Sequence, residues 1–149
     1  MLDHVMFKVI NYEESKKFYE AALKPLGAKV IKEVPEAKAC GFGTCCPDFW
    51  ITEGPAPTSC HVGFRAASRA RVREFHAAAL RAGGKDNGAP GLRPQYHPYY
   101  YGAFVLDPNG HNIEAVSHMP EGFEWVKLPL GLIGGFFGRF RRGKNTKEE

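Results

Sequence analysis

Three residues have the side-chain chemistry expected of a metal centre: His4, His61 and Glu114. Two imidazoles and one carboxylate suit Fe(II), Mn(II), Zn(II) or Ni(II), and they leave coordination positions open for substrate or oxygen. Glu114 lies between Ile113 and Ala115 in an apolar stretch, where an ionised carboxylate needs a compensating partner such as a cation. The alternative is that the histidines are ordinary packed or surface residues and Glu114 is a solvated strand residue.

An internal repeat relates the two histidines. The pattern His-Val-x-Phe occurs at 4–7 and again at 61–64. The same fifty-seven-residue offset relates residues 18–27 to residues 75–84. A register that persists over such a length indicates a duplicated module. The predicted modules are 1–56 and 57–119, together one domain 1–119, and each opens with one of the histidines.

Hydrophobic alternation and capping residues predict the elements of the first module. Residues 3–10 alternate as a half-buried strand, with His4 on the face opposite Phe7. Asn11 then caps a helix that ends near Gly27. Three short strands are predicted after it, at 28–34, 38–43 and 48–53.

The second module repeats this order. A strand is predicted at 60–66, and a helix begins after the Ser68 cap. A Gly/Pro-rich loop is predicted at 88–98, before strands at 100–106 and 111–117. The predicted fold class is therefore α+β, built from two copies of one strand–helix–strands unit.

Composition indicates an ordinary globular domain. Most of the net charge of +4 comes from the basic stretch 139–149, so no nucleic-acid face is expected on the body. The apolar segment 128–137 is broken by Gly and Pro and is shorter than the roughly 20 residues that a bilayer span needs. Residues 120–149 are predicted as an extension whose apolar part docks on the domain or a partner subunit, and whose end is disordered. Peripheral membrane contact is the alternative.

The opening residues lack the pattern of a secretory signal, so we expect a cytoplasmic protein. The four cysteines have no Cys-x-x-Cys spacing, which favours reduced core thiols over disulfides or zinc ligands. They are Cys40, Cys45, Cys46 and Cys60.

A second polar cluster spans residues 93–101. His97 could act as a general acid or base, because imidazole titrates near neutral pH. The hydroxyl of Tyr100 could hold a substrate oxygen, and Arg93 could pair with a carboxylate or phosphate. The alternative is an aromatic-rich loop that packs on a surface or an interface.

The sequence resembles the vicinal oxygen chelate superfamily, and within it the glyoxalase and bleomycin-resistance group. The resemblance rests on Asp3-His4-Val5, on the segment 104–114 and on the duplicated module, and it covers about residues 2–118. It implies two βαβββ units that form a cupped, eight-stranded mixed sheet around a metal or ligand. It also implies that a divalent metal is held by His4, His61 and Glu114.

The first module departs from the pattern that this resemblance implies. A fourth ligand is expected in its closing strand, but aligning 49–51 with 113–115 places Trp50, which cannot bind a metal, opposite Glu114. Asp48 has the same side-chain parity, but its choice requires a two-residue slip. The departure moves the ligand set from the four ligands of lactoylglutathione lyase towards the two histidines and one glutamate of the extradiol dioxygenases.

Three functions are therefore considered. The first is a glyoxalase-like, metal-dependent lyase or isomerase that acts on a small oxygenated metabolite or thiol conjugate. The second is an Fe(II) dioxygenase that cleaves a catechol-type ring, and the third is a metal-free binding protein whose aromatic residues stack on a ligand. Catalytic roles are expected for Glu114, His97 and Tyr100, and substrate contacts for Trp50, Arg93 and Tyr99. The expected partners are a small-molecule substrate and a second copy of the chain, with no nucleic acid and no membrane span.

Overall fold

The computed structural model of the chain describes residues 2–55 and 59–122. Within them the order is strand, helix and three strands, twice over. The first module contains β1 (Val5–Val9), α1 (Tyr12–Leu23), β2 (Lys29–Val34), β3 (Ala39–Gly43) and β4 (Phe49–Glu53). The second contains β5 (His61–Arg65), α2 (Arg69–Arg81), β6 (Lys85–Leu92), β7 (Tyr101–Leu106) and β8 (Asn112–Ser117). The predicted α+β fold of two βαβββ modules is confirmed.

The strands form one four-stranded mixed sheet in each module, ordered β1-β4-β3-β2 and β5-β8-β7-β6. β1 runs parallel to β4 and β5 runs parallel to β8, whereas the other neighbours are antiparallel. The two parallel registers are equivalent, because Met6 lies opposite Trp50 and Gly63 lies opposite Glu114. Met6 and Gly63 are fifty-seven positions apart, so the structure preserves the offset of the sequence repeat.

Both helices begin at the predicted caps. The side chain of Asn11 accepts a hydrogen bond from the Glu14 N–H at 3.2 Å, and Ser68 makes the equivalent bond at the start of α2. A single 3₁₀ turn, Lys24–Leu26, extends α1. Gly27 then ends the helix with a φ of 85°, in the left-handed region that favours glycine.

The two modules share one hydrophobic core. Phe18 of α1 and Phe75 of α2, equivalent positions in the repeat, are both fully buried. Phe49 of β4 packs edge-on against Phe64 of β5 with ring centroids 5.2 Å apart. One face of each sheet belongs to this core, so the other face of each sheet points away from it.

These two outward faces carry the candidate site residues. The first open face belongs to the first sheet and carries Met6 and Trp50, with His4 immediately before β1. The second open face belongs to the second sheet and carries His61 and Glu114. Strand parity sets both assignments, because alternate side chains along each strand enter the core.

Buried polar groups join the modules beside the core. The Tyr19 hydroxyl donates to the Asp107 carboxylate at 2.6 Å. His111 is fully buried, accepts the Cys60 N–H at its Nδ1 at 3.2 Å, and places Nε2 3.3 Å from the Lys8 carbonyl oxygen. His111 therefore links the two modules.

The loop predicted at 88–98 is wrong in its first half, because β6 continues to Leu92. β6 is an edge strand with register shifts, and such strands accommodate Pro90 and neighbouring glycines. A Cβ at Gly88 would lie 2.9 Å from the Phe104 ring, so glycine allows close approach of the backbone here. The residues that suggested a loop are therefore those of a bulged edge strand.

The four cysteines, all among the described residues, form no disulfide, but only some lie where the sequence placed them. Cys40 is fully buried in the core, as predicted. Cys45 and Cys46 are exposed between β3 and β4, so the prediction of core thiols is wrong for this pair. A thiol is buried only where apolar side chains pack around it. The turn before β4 leaves the thiols of Cys45 and Cys46 exposed.

No helix among residues 2–55 and 59–122 is long and apolar enough to cross a membrane. The apolar segment 128–137 and the basic stretch after it lie outside the described residues. The predicted extension 120–149 therefore stays a prediction.

Candidate functional site

His61 and Glu114 meet on the second open face. β5 begins with His61 and runs parallel to β8, so strand parity directs both side chains to the same side of the sheet. His61 Nε2 lies 3.4 Å from Glu114 Oε2. The His61 side chain is 51% exposed and that of Glu114 only 4%, so a buried carboxylate faces an imidazole that solvent can reach.

Tyr100 contacts the other oxygen of the same carboxylate. Its hydroxyl donates a hydrogen bond to Glu114 Oε1 at 2.5 Å. Burial raises the pKa of Tyr100, and the hydrogen bond to Glu114 raises that pKa further. The phenol therefore keeps its proton at neutral pH and remains the donor.

These groups line a cleft of about 360 Å³. Small-molecule sites commonly occupy roughly 300–1,000 Å³. Phe104 stacks against His61 with ring centroids 6.2 Å apart and an interplanar angle of 26°. The lining residues are His61, Tyr96, Tyr100, Phe104, Asn112 and Glu114. Aromatic walls and a few convergent polar groups suit a small planar or oxygenated ligand.

His4 does not line this cleft. Its Nδ1 lies 2.8 Å from Asp3 Oδ1 beside the first open face, and its side chain is 53% exposed. Across the two described ranges, no group of three or more His, Cys, Asp or Glu side chains is placed to hold a metal ion. One chain therefore brings together two of the three predicted ligands, His61 and Glu114.

Trp50 takes the position in the first sheet that Glu114 takes in the second. The indole Nε1 donates to the Pro47 carbonyl at 3.1 Å. A Cβ at Gly41 would lie 2.7 Å from the Trp50 ring, so the ring lies directly over this glycine. Asp48 precedes β4, and the two-residue slip that would make it the equivalent of Glu114 does not occur.

The turn between β6 and β7 holds two more predicted site residues, His97 and Tyr99. The His97 Nδ1 accepts the Tyr99 N–H at 3.2 Å, and the His97 ring packs against His118 with centroids 5.7 Å apart. Burial lowers the pKa of His118, and the nearby His97 lowers that pKa further. Neither His97 nor Tyr99 lines the cleft, and their catalytic and substrate roles stay predictions.

Arg93 directly follows β6 and approaches Phe104, one of the residues that line the cleft. Its guanidinium donates to the carbonyls of Ala89 at 2.8 Å and Leu92 at 3.2 Å. It also lies 5.7 Å from the centre of the Phe104 ring, within range of a cation–π contact. These contacts fix the strand end and the ring, and binding of a substrate anion by Arg93 stays a prediction.

Three residues that line the cleft have no predicted site role: Tyr96, Phe104 and Asn112. Asn112 lies two residues before Glu114 and so shares its face, and Phe104 lies opposite Glu114 in β7. Strand parity applied outward from Glu114 would have identified both. Tyr96 reaches the cleft through the conformation of a turn, for which the sequence carries no comparable signal.

The donor chemistry of His61 and Glu114 fits a divalent metal. An imidazole nitrogen and a carboxylate oxygen converge, as in many sites for Zn(II), Ni(II), Mn(II) and Fe(II). A cation would also offset the cost of burying the Glu114 charge. Among the described residues, one chain supplies only these two donors at the site, and a metal centre of this kind needs a third.

The sequence matches the model of the Glyoxalase/Bleomycin resistance protein/Dioxygenase superfamily over residues 1–115. The chain belongs to this superfamily, and the resemblance found in the sequence is confirmed.

Solved structures support the same fold. A glyoxalase/bleomycin resistance protein from Albidiferax ferrireducens T118 is 31% identical, with a TM-score of 0.64 over 76% of this chain and 95% of that chain. Glyoxalase I from Zea mays is 26% identical, with a TM-score of 0.60 over 78% of this chain and 46% of that chain. A glyoxalase/bleomycin resistance protein/dioxygenase family enzyme from Burkholderia phytofirmans PsJN is 14% identical, with a TM-score of 0.61 over 79% of this chain and 98% of that chain. At this identity the comparison supports the fold alone. None of the curated proteins compared matches the chain at a significant level.

Proposed function

We propose that the chain is a divalent-metal enzyme of this superfamily whose centre forms between two copies. His61 and Glu114 of one copy, with His4 of the other, would hold the metal. The observation that carries the proposal is the 3.4 Å approach of His61 Nε2 to Glu114 Oε2 in an aromatic cleft. The first module offers His4, beside its own open face, as a third donor that suits the same metals as His61 and Glu114.

Exposed apolar residues near His4 favour a second copy as the source of the third ligand. Leu2 is 80% exposed and Met6 is 52% exposed, and Trp50 lies on the same face. Burial of such side chains stabilises an interface. In a two-fold dimer, the first open face of each copy would cover the second open face of the other, which gives two equivalent sites.

The residues of the cleft support a substrate with two neighbouring oxygens. A bound divalent metal would supply the Lewis acidity that polarises such oxygens. Phe104 and Tyr96 would exclude water and orient the substrate, while Asn112 offers its amide for hydrogen bonding. The Glu114 carboxylate would accept a proton from a carbon next to a substrate carbonyl. The favoured activity is a lyase or isomerase acting on a small oxygenated metabolite or thiol conjugate.

A ring-cleaving dioxygenase is the second candidate, and the position of Trp50 favours it. With Trp50 in place of a fourth ligand, the set would be two histidines and one glutamate, as suits Fe(II) oxygenases with open positions. The test is anaerobic loading with Fe(II), followed by measurement of oxygen uptake with a panel of catechols. No uptake above that of the Glu114→Gln variant would remove this candidate.

A metal-free binding protein is the third candidate, because the walls of the cleft are aromatic. Binding of an aromatic ligand would then persist in a chelator. Because the first open face of a second copy would bring Trp50 over the cleft, the ligand would quench the tryptophan fluorescence of the wild type but not that of Trp50→Phe. Loss of binding on removal of metal would contradict this function.

Metal analysis of the purified protein tests the favoured proposal. After loading with Zn(II), Ni(II), Mn(II) or Fe(II) and desalting, the wild type should retain about one ion per chain. His61→Ala and Glu114→Gln should each lose that ion. His76→Gln is the matched control, because His76 lies on α2 and pairs with Asp86 at 2.9 Å outside the cleft. Absence of a retained ion from the wild type with all four metals would contradict the proposal.

A further inference from the structure

We propose that Tyr100 is a positioning residue that fixes the Glu114 carboxylate so that only one of its oxygens can bind a cation. The inference rests on the proposed metal centre and assigns to Tyr100 a role other than contact with substrate. It follows from the way in which the two oxygens of one buried carboxylate are divided between two partners.

Each oxygen of Glu114 has its own neighbour. Oε1 accepts the Tyr100 hydroxyl at 2.5 Å, and Oε2 lies 3.4 Å from His61 Nε2. A phenol has one proton to donate, and here that proton is directed at Oε1. Oε2, the oxygen beside the imidazole, is therefore the one left for a cation shared with His61.

Two glycines make room for the carboxylate in this orientation. A Cβ at Gly102 would lie 2.8 Å from Glu114 Oε1 and 3.1 Å from Tyr100 Cε1. A Cβ at Gly63 would lie 3.3 Å from Glu114 Oε2. Any side chain at Gly102 would therefore contact both the carboxylate and the ring that holds it. The strands on both sides of β8 supply a glycine at the point where the carboxylate lies.

The turn between β6 and β7 holds the main chain and the ring of Tyr100 in place. The Tyr100 N–H donates to the His97 carbonyl at 2.9 Å, and the Tyr100 carbonyl accepts the Arg93 N–H at 2.8 Å. The ring is held edge-on between Tyr96 and His118, with centroids 5.2 Å away on each side. The hydroxyl is therefore held by main-chain bonds and ring packing and meets a carboxylate on a central strand.

This arrangement has a chemical consequence for the metal centre. A carboxylate with one oxygen already hydrogen-bonded binds a metal through the other oxygen, and its orientation is fixed before the metal arrives. Loss of a hydrogen-bonding partner of a metal ligand typically weakens metal affinity by about 10–100-fold. Tyr100 would therefore tighten metal binding and keep one more coordination position for substrate than a bidentate carboxylate would leave.

The test compares Tyr100→Phe with Tyr101→Phe in titrations with Co(II), followed by visible absorption. Both variants remove one hydroxyl, but only Tyr100 donates to Glu114, whereas the Tyr101 hydroxyl accepts from Arg73 at 3.5 Å outside the cleft. Tyr100→Phe should weaken Co(II) binding by about 10-fold or more and should change the absorption bands that report coordination. Tyr101→Phe should leave both unchanged, and circular dichroism of the metal-free proteins should show the wild-type fold in both variants.

Gly102→Ala gives an independent measurement, since its Cβ would displace the carboxylate with Tyr100 still present. It should also weaken Co(II) binding and shift the spectrum. If the wild type binds Co(II) and Tyr100→Phe binds it with the same affinity and spectrum, the positioning role is wrong and the metal centre stands. If the wild type does not bind Co(II), the proposed metal centre is wrong and the role of Tyr100 is overturned with it.

Discussion

Trp50 lies opposite Met6 in the first sheet at the position that Glu114 takes opposite Gly63 in the second sheet. The duplicated strands are therefore in register, and the difference between the modules lies in the side chains. One module offers a carboxylate and the other an indole that rests on Gly41. In the proposed centre between two copies, this asymmetry would leave three protein ligands.

Replacement of Trp50 with glutamate should add the missing ligand. Trp50→Glu should tighten Zn(II) binding by about 10-fold relative to Trp50→Gln, because it adds a fourth donor, a second carboxylate, to a tetrahedral site. The measurement is competition with a chromophoric chelator. Trp50→Gln is the matched control, because it loses the same indole and has the same length without the charge. Equal affinities of the two variants would show that position 50 does not approach the metal.

The shared core predicts a large loss of stability on truncation of Phe49. Its ring contacts Phe7, Tyr19 and Phe42 within the first module and Phe64 in the second. Phe49→Ala should lower the free energy of unfolding by about 3–5 kcal/mol, measured with urea.

The control for this substitution is Lys17→Ala, because Lys17 is exposed on α1, away from both open faces. That variant should change the free energy of unfolding by less than about 0.5 kcal/mol. If Phe49→Ala unfolds only the first module and the second still melts with the wild type, the two modules do not share one core.

Cys40 should make stability depend on pH in the alkaline range. Burial raises the pKa of the Cys40 thiol to about 11. Below about pH 8.5 both the folded and the unfolded chain keep this proton, so the stabilisation from the neutral thiol is fully present. As the pH rises from there towards 11, the unfolded thiol ionises first, and this stabilisation is lost.

The measurement is urea unfolding of the wild type and Cys40→Ala at pH 7.5 and pH 10.5. The wild type should lose roughly 1–3 kcal/mol more than the variant between these values, since the variant lacks the thiol that ionises. Parallel losses in the two proteins would show that the Cys40 thiol ionises as easily when folded as when unfolded.

Local patterns in the sequence were enough to predict most of the fold. The repeat, the alternation along β1 and the caps Asn11 and Ser68 are signals that neighbouring residues carry. β6 was missed because Pro90 and its glycines usually break strands, and only its place at a sheet edge makes them compatible with one.

The sequence predicts the part of the site in which both residues, His61 and Glu114, lie in the same sheet. Parity along β5 and β8 brings His61 to Glu114, and the sequence contains that parity. The distance between His4 and this pair depends on how the two modules pack. Patterns among neighbouring residues do not predict that packing. The contact of Tyr100 with Glu114 depends likewise on the conformation of a turn between two strands.

A heterodimer of two defective chains tests the intermolecular metal centre most directly. His4→Ala and His61→Ala chains, carrying different affinity tags, are co-expressed, and the mixed dimer is isolated through both tags. If each centre takes His4 from one copy and His61 from the other, one of the two sites in this dimer keeps all its ligands.

The mixed dimer should therefore retain about half of the wild-type metal content per chain, whereas each variant alone should retain none. The same half occupancy should disappear when Glu114→Gln is added to the His4→Ala chain, which contributes the intact His61. A mixed dimer with no more metal than either variant alone would contradict a centre shared between two copies.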